Sequence, residues 1–222
     1  CMKFMKVSVL LALATLWSAP LHANLVQNGD FSAGVTGFSS SYAVNTNVYG
    51  EGEYTVDVDP HAAHVGGASF GDHTTGSGLM LIANGASNIA RYVWAQSLGV
   101  AAGGDYVFSG WAASWGTFGN GAPDPSPPIL RLVINGSQIG SDFLVEAING
   151  RWSEFQVAWN SGATTSATIQ IFDVNAEPVG NDFALDDLRF VATQAVAEPG
   201  SLALLAIALG LLAFTRILRH HA

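Results

Sequence analysis

Cysteine is all but missing from this chain: Cys1 is the only one, and it precedes the first methionine. With none from residue 2 onward, the body of the protein has no internal disulfide and no thiol nucleophile. Lysine is confined to Lys3 and Lys6. Between residues 24 and 197, Arg91, Arg131, Arg151 and Arg189 face nearly all the acids of a chain whose net charge is −9. A surface of that sign repels nucleic acid, whose binding depends on cationic neutralisation of phosphates. It suits a soluble extracellular module and leaves carboxylates free for divalent cations. Long amphipathic helices are missing too, since no segment of 24–197 sustains a helical apolar period. Catalytic signatures are equally scarce. There is no Gly-x-Ser-x-Gly elbow, no His-Glu-x-x-His helix and no Gly-rich phosphate loop after a strand. Two carboxylates for glycoside hydrolysis could be drawn from the acids present, but with so many acids that selects nothing. A secreted glycan-active enzyme is therefore the least favoured reading, and the expectation is that the protein is not an enzyme.

What the chain does have begins at its two ends. Lys3 and Lys6 precede an apolar run over 7–17, and Leu21-His22-Ala23 offers a cleavage site before Asn24. That order of charge, apolar run and small residue is a secretory signal peptide over 1–23. At the other end, 201–215 carries no charge and is mainly Leu, Ala and Ile. Arg216 can lay its stem along apolar surface and lift its head to the interface. The run 201–218 then approaches the ~20 residues that a ~30 Å hydrocarbon core requires. Pro199 and Gly200 interrupt any structure arriving from upstream, and Ser201 is a suitable N-cap for a new helix. Arg216 and Arg219 flank the run, which by the positive-inside rule makes 219–222 a cytoplasmic tail. The expected layout is an extracytoplasmic domain over 24–192, a linker over 193–200, and one span in the inner membrane.

The domain itself reads as strands and turns. An opening strand runs over 24–31, and 42–58 alternates loosely enough for two short strands. Residues 79–83 look like a buried strand, and 91–98 alternates Tyr92, Trp94 and Gln96 against Val93, Ala95 and Ser97. A third strand covers 106–111, and the prolines of 119–128 predict an exposed, extended loop. Asn135-Gly136 between two apolar runs is the clearest hairpin signal. Over 152–159, Phe155, Val157 and Trp159 face one way while Trp152, Glu154 and Gln156 face the other. Strands over 167–172 and 183–190 complete the set, giving about eight in an all-β sandwich. Asp186 and Asp187, adjacent in a strand centre, are costly unless paired or coordinating. His61 and His64 stand at a spacing known from transition-metal pairs, but Gly66-Gly67 and Gly76 favour loops and turn-capping roles.

Two resemblances sharpen this. Ala197-Glu198-Pro199-Gly200-Ser201, a short Leu/Ala-rich helix and a terminal basic cluster resemble the PEP-CTERM sorting signal of exopolysaccharide-producing Gram-negative bacteria. Ala197 departs from the family's usual first proline. The resemblance implies that the tail holds the protein in the inner membrane until an exosortase, a membrane cysteine protease, processes it near Glu198, Pro199, Gly200 and Ser201. The product would then reach the cell surface or extracellular matrix. The competing reading is a plain single-pass anchor.

Asn28-Gly29-Asp30-Phe31 resembles the "N-G-x-F-E-x-G" opening of galactose-binding-like β-sandwiches, a superfamily with many carbohydrate-binding modules. The segment 181–188 resembles the "N-D-F-A-x-D-D-I" ending of secreted proteins in the same group. The implied fold is a jelly-roll-like (galactose-binding-like) β-sandwich. Several such modules use the opening glutamate to help bind a structural calcium, and Ser32 stands in its place here. Jelly-roll closure would bring Asp30 and Asp187 together, where they could hold Ca2+; the alternative is that they bond loop backbone N–H groups. For saccharides the flat faces of Trp94, Trp111, Trp115 and Trp152 matter, although large aromatics mostly fill cores. Trp115, beside Gly116, Gly119 and the proline loop, is expected to be exposed, and Trp115 and Trp152 are the candidate ligand-binding residues. The reading is a surface-sorted, non-catalytic module associated with carbohydrate or exopolysaccharide. A structural surface protein with no specific ligand is the alternative.

Overall fold

The computed structural model describes residues 23–116, 119 and 121–193. The signal-peptide region, Glu198, Pro199, Gly200, Ser201, the apolar run, Arg216 and Arg219 lie outside the described residues. Among those described, no helix is long and apolar enough to cross a membrane.

Period-2 alternation builds the layers. The strands are β1 (Ala43–Val44), β2 (Glu53–Asp57), β3 (Met80–Asn84), β4 (Tyr92–Gly99), β5 (Asp105–Ser114) and β6 (Ile129–Ile134). They continue as β7 (Ser137–Gln138), β8 (Phe143–Leu144), β9 (Ser153–Asn160), β10 (Ser166–Asp173) and β11 (Phe183–Ala192). A single helical turn, α1 (Pro60–Ala63), follows β2, with Asp59 as its N-cap and Pro60 opening it. One sheet runs in the order β1-β2-β3-β11-β5-β9, the other β4-β10-β6-β7 with β8 also on β6. This is the expected all-β sandwich. Every strand pair except β1–β2 is antiparallel.

The core lies between the sheets. Phe108 and Phe155 face Trp94, and Phe190 stacks on Tyr106 at 4.9 Å between ring centroids. From the second sheet Leu130, Leu132, Ile134, Ile169 and Ile171 close the layer. The Asn135-Gly136 hairpin forms as anticipated, with both residues at positive φ (52° and 79°), the I′ geometry that matches strand twist.

Three features differ from or add to the strand pattern read above. Residues 24–31 form no strand: Leu25 N donates to Phe190 O and Leu188 N to Gly29 O, and the Asn24 side chain adds to these by donating to Leu188 O and accepting from Phe190 N. Gly29 then approaches Leu188 so closely that a Cβ would lie 2.1 Å from its carbonyl oxygen. The proline loop is pinned rather than fully exposed: Pro123 bridges to Ile148, and Asp124 is buried where it accepts from Ser114 Oγ and Ser126 N. Third, a second apolar cluster forms outside the sandwich, on the outer face of β3 and β11. There Val48, Ala63, Ala68 and Trp115 pack over Met80, Ile82 and Ala184. The chain between β1 and β3 covers that half of the face; the half made by β5, β9 and the end of β11 is left bare.

Candidate functional site: a polar cleft on the outer face of the six-stranded sheet

On that bare half the register sets side chains in rows. Val191, Val107 and Ala158 form one, Arg189, Ser109 and Gln156 the next, and Asp186, Trp111 and Glu154 the third. Neighbouring strands lie ~4.8 Å apart and successive rows ~6.8 Å apart. The cleft over these rows holds about 660 Å³. Trp111 is half-buried, whereas Phe108, Gly110 and Ala112 on the opposite phase are buried.

A loop residue completes the site. Between Asp186 and Arg189 the β11 register shifts, and Asp187 takes φ 51°. The bulge re-aims side chains that strict alternation would send to opposite faces. The Asp186 carboxylate accepts from His73 N at 2.9 Å, and Asp187 accepts from His73 Nδ1 at 2.7 Å and Thr74 Oγ1 at 2.6 Å. A carboxylate offers only acceptors, so His73 carries its proton on Nδ1 here. So held, the imidazole stacks on Trp111, 3.8 Å between centroids and 15° between planes. The adjacent acids thus carry the partners that strand-centre carboxylates need. Asp186 is 1% exposed, and burial, with Asp187 beside it, pushes its carboxyl up to about 7 despite the two backbone donors.

Trp152 stands behind this pair. It is half-buried, its indole N–H donates to Gly71 O at 3.2 Å, and its ring meets His73 edge-on at 5.9 Å and Phe70 at 5.8 Å. It braces His73 and does not itself line the cleft. Trp115 is corrected outright. It has no exposed surface, because the 60–68 segment lies over it: Ala68 N donates to its carbonyl and His64 rests 5.6 Å from its ring.

Closure does bring Asp30 and Asp187 to one recess beside Asn28 and Gly29. Their carboxylates are committed separately, however, Asp30 to Ser32 N and Oγ, Asp187 to His73 and Thr74. Asp30 does what the loop-bonding alternative describes. Among the described residues no group of three or more His, Cys, Asp or Glu side chains is placed to hold a metal ion. His61 and His64 cap their turn, His61 Nδ1 at 3.1 Å from Gly67 O and His64 Nδ1 accepting from Gly66 N.

A recess of about 400 Å³ on the other sheet is walled by Gln27, Gln96, Ser97, Thr168 and Gln170, with no indole or charged group. The cleft over Trp111 combines an aromatic stack with donors and acceptors of both signs.

No protein-family model matches the chain. No curated protein matches it either. Solved structures do. The CBM22-1 xylan-binding domain of Paenibacillus barcinonensis Xyn10C aligns over 81% of this chain and 100% of its own, at 15% identity and a TM-score of 0.50. The CBM22-1–CBM22-2 tandem of the same protein aligns over 83% of this chain at 16% identity and TM-score 0.52; the chain spans 49% of that tandem. The C-terminal domain of EclA, described as a sugar-binding protein, is matched over 66% of its length and 45% of this chain at 18% identity. Its TM-score of 0.37 is too low to weigh. The chain therefore shares its all-β sandwich fold with the CBM22-1 domain.

Proposed function

We propose that this domain is a non-catalytic carbohydrate-associated module whose ligand lies in the cleft over Trp111. The observation that carries the reading is the Trp111–His73 stack, fixed by two carboxylates and bordered by Ser109, Gln156, Glu154 and Arg189. A sugar ring offers an apolar face and a rim of hydroxyls that both donate and accept. Aromatic surface beside amide, carboxylate and guanidinium groups answers both demands. A fold shared with a xylan-binding domain agrees with this reading. A glycosidase is disfavoured because Asp186, whose raised carboxyl would suit a general acid, is 1% exposed with both oxygens on backbone N–H groups. The direct test is retardation of the full-length protein in gels containing soluble polysaccharides. Slowed migration in at least one supports the module, and unchanged migration in all favours a ligand-free structural protein.

The chain's ends supply the setting of this proposal: export by 1–23, tethering by 201–218, and exosortase processing at the Glu198-Pro199-Gly200-Ser201 motif before display at the surface or in the matrix. Pro199 lacks a backbone donor and biases Glu198 toward the extended shape a protease reads. Replacing Glu198 and Pro199 with alanine barely alters the hydrophobicity that inserts the helix. The double variant is expected to accumulate uncut in the inner membrane, as wild type should in cells lacking an exosortase. Equal mature masses for wild type and variant would mean a plain anchor.

A further inference from the structure

The cations of this domain are few enough to follow one by one. Arg91 donates to Ser41 O and Gly52 O and lies 4.8 Å over the Tyr42 ring. Arg131 pairs with Asp142 at 2.7 Å, and Arg151 with Glu146 at 2.6 Å. The Arg189 side chain alone makes no hydrogen bond or ion pair among the described residues, and it is exposed in the cleft. In a domain so rich in carboxylates, a guanidinium left unpaired beside a fixed aromatic stack is set for an acid that the chain does not supply.

The cleft is also bipolar. One row presents Arg189, Ser109 and Gln156, all donors; the next presents Trp111 with Glu154, and Asp187 near it. The rows stand ~6.8 Å apart, a little more than the width of a pyranose ring. Resting on the reading of the cleft as a carbohydrate site, we propose that its ligand is a polysaccharide bearing uronic-acid residues. One ring rests at the Trp111–His73 stack with its hydroxyls toward Glu154 and Asp187, and the neighbouring carboxylate meets Arg189. Planar guanidinium and carboxylate match in a two-point contact that a neutral hydroxymethyl group cannot make.

The net negative charge of the domain does not forbid this. Glu154 lies two strands and one row from Arg189, ~12 Å by sheet geometry, and beyond the ~8 Å screening length at physiological salt. Asp187 is already answered by His73 Nδ1–H and Thr74. The direct contact at Arg189 falls inside the screening length.

The test uses the full-length protein in a polyoxyethylene detergent, which carries no sugar headgroup. Its probes are polygalacturonate, alginate and a β-1,4-glucuronan, each beside its carboxyl-reduced neutral counterpart. At least one uronate polymer is expected to bind roughly ten- to a hundredfold more tightly than its reduced partner, the range of a charge-assisted contact. Arg189→Gln is expected to erase that ratio, the acidic polymer losing far more affinity than its reduced partner. Raising the salt should shrink the ratio in wild type and not in the variant. Equal binding of acidic and reduced polymers, a ratio that survives Arg189→Gln, or binding confined to neutral polysaccharides would each overturn the inference and leave the module reading standing. Failure of every charged and neutral polysaccharide would overturn that reading itself.

Discussion

Melted across a pH series, the domain is expected to be most stable near pH 4 and to lose stability steadily toward pH 7. Asp173, Asp182 and Asp186 are each pushed up to about 7, burial being the leading cause in all three. Asp173 Oδ2 and Asn181 Oδ1 are both buried without a hydrogen-bond partner. A proton on Asp173 would turn one of these acceptors into a donor. Unfolded, the three carboxyls return to the ordinary range near 3.8. Between about 4 and 7 the folded state therefore binds more protons than the unfolded one, and stability falls as pH rises through that window. Asp142, held down by its bond to Arg131, and Glu51, held down by Ser87, act oppositely and cost stability only in acid. Asp182→Asn keeps an acceptor for Gly85 N and removes the buried charge. It should raise the melting temperature at pH 8 and flatten the profile. A profile rising from pH 4 to pH 7 would contradict the burial of these acids.

Trp115→Ala is the second large effect, and it falls on stability alone. Its indole fills the outer apolar cluster with Met80, Ile82 and Ala184. Emptying such a site costs ~3–5 kcal/mol, a large share of the ~5–15 kcal/mol that holds a domain folded. Chemical denaturation should show the loss, and polysaccharide retardation below the melting point should not change. Lost binding with unchanged stability would restore Trp115 to the ligand site.

That contrast shows where the sequence is legible. The strand phases of 155–159 and the hairpin at Asn135-Gly136 depend on neighbours two residues apart, and both are as read. The same alternation puts Val107, Ser109 and Trp111 together opposite Phe108, so the indole of the cleft is available to a period-2 reading of β5. Trp115 is not, because its cover comes from 48–68 and belongs to no local pattern. His73 is harder still: its place depends on a bulge at Asp186–Asp187, 113 positions away. The adjacent acids hint at an unusual partner, but nothing beside them names it. Asn24 misleads in the other direction. Its run looks like a strand, yet only Leu25 and Gly29 bond β11 through backbone, and the Asn24 side chain fills in between.

The central claim, that Trp111 and not the other tryptophans receives the sugar, is tested most directly by polysaccharide binding of Trp111→Ala beside wild type. Trp111 stands on the outer face with little of the core on it, so the variant should melt near wild type. Truncating a central aromatic contact typically removes at least ~2 kcal/mol, roughly a thirtyfold loss of affinity. The account predicts a folded variant whose retardation by every polysaccharide that slows wild type is nearly abolished. A folded Trp111→Ala protein that binds as wild type does would place the ligand elsewhere and contradict it.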